Sequence, residues 1–120
     1  MNEEKMDTPE NDQLDCSPGG CPVLAALAVM GGKWKPAILY ALHLESPLRF
    51  GVLRRRVTGI SQKVLTSQLR ELAGDGLVSR AVFAEVPVRV EYSLTGYGRT
   101  LDPVMLAMAE WGGLHLARLG

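Results

Sequence analysis

The chain is 120 residues long, 47% apolar and only 6% aromatic, which suits one compact core of Leu, Val, Ala and Met and excludes two independent ones. No apolar run approaches the ~20 residues needed to cross a bilayer, and the acidic start MNEEKMDTPENDQLD lacks the basic and apolar regions of a signal peptide, so a cytoplasmic location is expected. The formal net charge is zero but unevenly spread: residues 1–20 carry Lys5 against six acids, whereas residues 33–99 carry eleven Lys and Arg against five acids. A basic middle offset by an acidic end admits a nucleic-acid partner, although a charge cluster alone is equally a solvated face.

Residues 1–20, rich in Asp, Glu, Asn, Pro and Gly, have little to bury and read as a disordered acidic arm. Pro22 stands well at a first helical position, opening an apolar helix over Val23 to Met30 that Gly31-Gly32 stops. A second helix from Trp34 to Leu44 is almost wholly apolar and should be central, with Glu45-Ser46-Pro47 as its connection. Phe50, Leu53 and Val57 define one face of a third helix. Arg55 points away from that face, and Arg54 and Arg56 flank it. Thr58-Gly59-Ile60 makes a tight turn into a fourth helix. Ser61 is its N-cap, and Ile60 with Leu65 form a hydrophobic staple. Leu65, Leu69 and Leu72 line its buried stripe, and Asp75-Gly76 ends it. The period then becomes alternating: Val78 to Phe83 and Val90 to Leu94 read as two strands of a hairpin joined by Glu85 to Arg89. Thr95 caps a last helical region reaching about Leu119, which Pro103 kinks or divides.

Two helices joined by a short glycine-containing turn are the signature of a helix-turn-helix. The outward face of the second of them is the useful test. At about 100° per residue, Lys63, Thr66, Ser67 and Arg70 lie away from the leucine stripe, with Gln62 beside them, while Glu71 stands to one side. Lys can donate to guanine, Gln can bond adenine with both ends of its amide, and Thr offers a methyl to thymine. Residues near the start of a recognition helix reach base edges, so Gln62, Lys63, Thr66 and Ser67 are the base-reading candidates. Arg49, Arg54, Arg55, Ser61 and Arg70 are the phosphate-contact candidates. Arg80 and Arg89 make the hairpin a wing, able to follow the backbone or enter the minor groove; alternatively the hairpin only covers the core, with Arg89 paired to Glu85 or Glu91. The resulting fold class is mainly α with a small β-hairpin (α+β), a winged helix-turn-helix.

The ordered series Cys21-Pro22-Val23, Gly31-Gly32-Lys33-Trp34, Leu48-Arg49-Phe50, Gly59-Ile60-Ser61, Leu65-Thr66, Leu69-Arg70-Glu71-Leu72, Asp75-Gly76-Leu77-Val78, Val86-Pro87, Val90-Glu91-Tyr92, Leu94-Thr95 and Gly98 resembles the HxlR-type family of winged helix-turn-helix regulators. The resemblance runs from about Cys21 to Trp111. It implies a bacterial, dimeric, DNA-binding transcription regulator acting on a neighbouring operon. Pro87-Val88 departs from the two prolines common in that family, and Ala73-Gly74 from its bulky residue and Glu; these bear on wing rigidity and on the end of the recognition helix. The expected organisation is an arm over residues 1–20 and a domain over 21–119, with dimerisation helices at 22–31 and 95–119. Both terminal helices are apolar around most of their circumference, more than so small a domain can cover alone. A two-fold dimer would set its recognition helices about 34–36 Å apart, matching a palindromic operator.

Cys16 and Cys21 are separated by Ser-Pro-Gly-Gly, and in a reducing compartment such a pair is seldom a structural disulfide. His43 and His115 lack zinc-motif spacing, so no metal and no cofactor are expected. Cys21 immediately precedes a helix, a place that favours the reactive thiolate. The resemblance implies that this Cys-Pro position serves as a thiol sensor in some family members; otherwise Cys21 packs as a small apolar residue and Cys16 is idle. An enzyme is not expected. Gly96-Tyr97-Gly98 lacks the third glycine of a dinucleotide fingerprint, and Gly31-Gly32-Lys33 lacks the remainder of a P-loop. Two alternatives stay open beside a thiol-responsive transcription regulator: a winged helix used only for protein contact, and a repressor responding to a small-molecule effector without redox sensing.

Overall fold

A computed structural model describes residues 19–120; the acidic arm as far as residue 18, and Cys16 with it, lie outside the described residues. The chain divides into two units, one ending at Gly31 and one running Gly32–Gly120. In the first, helix α1 spans Pro22–Met30, with Pro22 in its first turn, Cys21 as an extended N-cap and Gly31 as C-cap. Its sequence PVLAALAVM has no polar side chain. Val23, Leu24 and Leu27 are nevertheless exposed, whereas Cys21 and Met30 are buried.

The second unit runs α2 (Lys35–Leu44), β1 (Leu48–Arg49), α3 (Phe50–Arg56), α4 (Gln62–Gly74), β2 (Val78–Phe83), β3 (Arg89–Leu94), α5 (Gly96–Arg99) and α6 (Asp102–Leu119). Helix α2 is central, as its composition predicts: Ile38, Leu39 and Leu42 are completely buried or nearly so. Leu53 of α3, Leu65, Leu69 and Leu72 of α4, and Leu48, Val78 and Tyr92 of the sheet join them. Burying each such Leu contributes about 1.5–3 kcal/mol, so the three-leucine stripe is what holds α4 on the body.

The sheet has three strands rather than the expected two-stranded hairpin, in the order β1-β3-β2. Strand β1 pairs antiparallel with β3, Leu48 opposite Tyr92 and Arg49 opposite Glu91. Two residues give no alternating pattern to read, which is why the strand escapes sequence analysis. It closes the free edge of β3 and brings the start of α3 against the wing. The expected helical region after Thr95 is divided. Pro103 falls in the first turn of α6, where the missing N–H costs nothing. Buried Gly98 permits the approach of α5 to the sheet, since a Cβ there would collide with the Leu77 carbonyl. Among the described residues no helix is long and apolar enough to cross a membrane.

Candidate nucleic-acid interface

Helices α3 and α4 form the helix-turn-helix. Between them Ile60 N–H donates to the Val57 carbonyl at 3.2 Å, and Gly59 sits at φ +91°, a conformation that costs a residue with a Cβ roughly 1–2 kcal/mol. Ser61 starts α4 as its sequence predicts, its Oγ accepting from Val64 N–H at 3.1 Å. The helix ends in a Schellman motif. Leu77 N–H reaches the Leu72 carbonyl and Gly76 N–H the Ala73 carbonyl, both at 3.0 Å, while Leu72 and Leu77 are both buried. Both ends of α4 are thus set by local chemistry, and its roll by the leucine stripe. That roll leaves Gln62, Lys63, Ser67 and Arg70 exposed and Thr66 partly covered.

The charges around this helix sort into two groups. Lys35 binds Glu71 at 2.7 Å, Arg56 binds Glu45 at 2.8 Å, Arg99 lies 3.4 Å from Asp102, and Arg89 lies between Glu85 at 3.1 Å and Glu91 at 3.4 Å. Among the described residues, Arg49, Arg54, Arg55, Lys63, Arg70 and Arg80 take no carboxylate partner. Arg54 instead donates its Nε to the Ile60 carbonyl at 3.4 Å, bracing the turn. Lys33, which lies over the Trp34 ring, and Arg118 take no carboxylate partner among the described residues either.

A cleft of about 790 Å³ opens between α4 and the wing. It brings together Gln62, Thr66 and Arg70 from α4, Arg49 from β1, and Arg80 and Arg89 from the wing. Lys63 and Ser67 lie on the exposed side of α4, and Ser61, Arg54 and Arg55 also stand outside the cleft. Sequence reasoning passes over Phe50, Val88 and Tyr92, which line this cleft too. The Phe50 and Tyr92 rings are 6.3 Å apart, and only the pairing of β1 with β3 brings them there, so no local signal could have found them. Arg89 is in the pairing with Glu85 and Glu91 that stood as the alternative to wing contact, and its guanidinium also covers the Phe83 ring at 4.1 Å. Arg80 has no such partners and is exposed. Beyond both, Val86 and Val88 stand exposed at the wing tip. Among the described residues no group of His, Cys, Asp and Glu could hold a metal ion.

The HxlR-like helix-turn-helix family matches residues 29–119 of the chain. The chain is 52% identical over 93 residues to the HTH-type transcriptional regulator YybR of Bacillus subtilis (strain 168), covering 78% of this chain and 74% of YybR. Among solved structures it is similar to the redox regulator HypR in both its forms. The oxidised form has a TM-score of 0.72 at 50% identity, covering 78% of this chain and 95% of that one. The reduced form has a TM-score of 0.76 at 48% identity, covering 82% and 96%.

Proposed function

Because the chain belongs to the HxlR-like helix-turn-helix family, we propose that it is a cytoplasmic transcription regulator that grips a palindromic operator as a homodimer. The observation that carries this reading is the cleft between α4 and the wing, which gathers Gln62 and Thr66 with Arg49, Arg70 and Arg80, three cations that take no carboxylate partner among the described residues. Helix α4 enters the major groove, where Lys63, Gln62, Thr66 and Ser67 read base edges. Arg49, Arg54, Arg55, Ser61 and Arg70 hold phosphates, and Arg80 is the wing's available cation. Arg89 first has to exchange its carboxylates for a phosphate. Fluorescence anisotropy with a genomic fragment selected by the purified protein tests the reading. Affinity should fall about a thousandfold or more between ~50 and ~200 mM salt, as neutralised phosphates regain their counterions. A flat salt response would instead favour a winged helix used for protein contact.

The dimer forms through the terminal helices. Helix α6 buries only Met105 among its residues, while Leu106, Trp111, Leu114, Leu116 and Leu119 are each more than half exposed. Monomers rarely expose so continuous an apolar surface, and α1 adds more.

Regulation by thiol oxidation at Cys21 is the second part of the proposal, supported by the similarity to a redox regulator solved in two oxidation states. Cys21 stands at the N-cap of α1 and is only 6% exposed. Diamide should change operator affinity of the native chain and leave Cys21→Ser unaffected; an equal response of both would overturn the assignment.

A further inference from the structure

The junction between α2 and α6 holds a polar cluster that DNA contact does not use. His43, in the last turn of α2, places Nδ1 2.7 Å from Oδ1 of Asp102, in the first turn of α6. Arg99 of α5 donates Nη1 to that same oxygen and to the His43 main-chain carbonyl, both at 3.4 Å. The carbonyl is one of the last four of α2, which lack partners within the helix. Each charge also matches its helix end: a carboxylate at the start of α6, an imidazole at the close of α2. One side-chain oxygen thereby ties together α2, α5 and α6.

We propose that the His43–Asp102–Arg99 cluster is a positioning device that fixes the direction in which α6 leaves the DNA-binding body, and through it the half-site spacing that the dimer accepts. The inference rests on the dimeric reading above. Its force comes from leverage. Helix α6 has 18 residues, close to 27 Å at ~1.5 Å per residue, so a tilt of about 10° moves its far end by roughly 5 Å. That exceeds the ~3.4 Å rise of one base-pair step. Beyond the cluster, Met105 is the fully buried side chain of α6, with Ala109 and Gly112 partly covered, and an unbranched Met with two small residues holds a helix angle loosely.

Around His43 the titratable and charged groups are Tyr40 on its own helix, stacked at a centroid distance of 6.1 Å, with Arg99 from α5 and Asp102 from α6. On α3, Arg54 donates to the Ile60 carbonyl, Arg55 is exposed, and Arg56 is bound to Glu45. On β3, Arg89 and Glu91 are bound to each other. Glu110, further along α6, is exposed. Among the described residues, Asp102 and Arg99 are the charged groups bonded to His43.

The experiment measures the full chain on operators whose half-sites are moved apart in single base-pair steps, with sedimentation to establish the dimer. The native chain should favour one spacing by about tenfold, the scale of a charge-assisted hydrogen bond. His43→Leu and Asp102→Asn should accept neighbouring spacings almost equally. His43→Asn keeps an uncharged donor and should be intermediate. A dimeric native chain whose spacing preference survives in both His43→Leu and Asp102→Asn would overturn this inference alone. A monomeric native chain without any spacing preference would overturn the dimeric reading itself.

Discussion

Lys63 and Arg70 stand two turns apart on the same side of α4, yet their loss should be felt differently. In the proposed reading Lys63, in the first turn, meets base edges, so Lys63→Ala should cost about 1–3 kcal/mol on the operator and little on unrelated DNA. Arg70, further along and lining the cleft with the wing, is assigned to phosphate in the same reading. Arg70→Ala should weaken binding to every sequence about equally and reduce the slope of log affinity against log salt by about one. Anisotropy titrations on cognate and scrambled duplexes separate the two patterns. Away from the DNA, the hydrogen bond from His43, reinforced by Arg99, holds the Asp102 carboxyl below the ordinary Asp value of 3.8. A carboxyl with a lower pKa in the folded chain binds fewer protons there than in the unfolded one. Its stabilising contribution is therefore complete above that ordinary value and lost as pH falls through the lowered one. Acid titrations followed by circular dichroism should show this loss in the native chain, and Asp102→Asn should lack that part of the transition.

At the scale of the element, α4 shows how local chemistry and burial divide the labour. Its start depends on the Ser61 hydroxyl, its end on Gly76 and Leu77, and its roll on Leu65, Leu69 and Leu72. Ser61→Ala should cost about 1 kcal/mol of unfolding free energy in urea melts by leaving the Val64 N–H without its cap. Leu69→Ala should cost about 2–5 kcal/mol, because the cavity opens where α4 meets the rest of the core. The wing is a different kind of element. Its cation Arg89 is held by two carboxylates and an aromatic ring, which makes it stiff and electrostatically quiet; Arg80 remains the residue with charge to offer.

For the whole molecule the governing fact is unburied apolar surface. Trp111 is 67% exposed and Leu114 is 73% exposed on a helix where Met105 is the buried residue. In the proposed dimer a symmetric partner covers this surface by offering the same one in return. Leu114→Glu places a carboxylate in that contact, and burying it unpaired is costly enough to favour separation. The variant should sediment as a monomer at micromolar concentration, keep the circular dichroism of the native chain, and lose most of its affinity for the two-half-site operator.

Much of this was legible in the residues themselves, because it is local. The cap at Ser61, the stop at Gly76, the leucine stripe and the period change after Gly76 are written within a few positions of where they act. So are the exposed cations of α4. Three things were not legible. Strand β1 has only two residues and exists through its pairing with β3; the pairing of Arg89 with both Glu85 and Glu91 was one of two possibilities until the hairpin register chose between them; and the junction of His43 with Asp102 joins residues 59 positions apart. Hydrophobic period and turn chemistry decide which segments become helices and strands. Which charges meet across those segments is decided only when the core closes and brings them within a few ångströms, and in this protein that closure binds Arg56, Arg89 and Arg99 to carboxylates and leaves Arg49, Arg70 and Arg80 without them among the described residues.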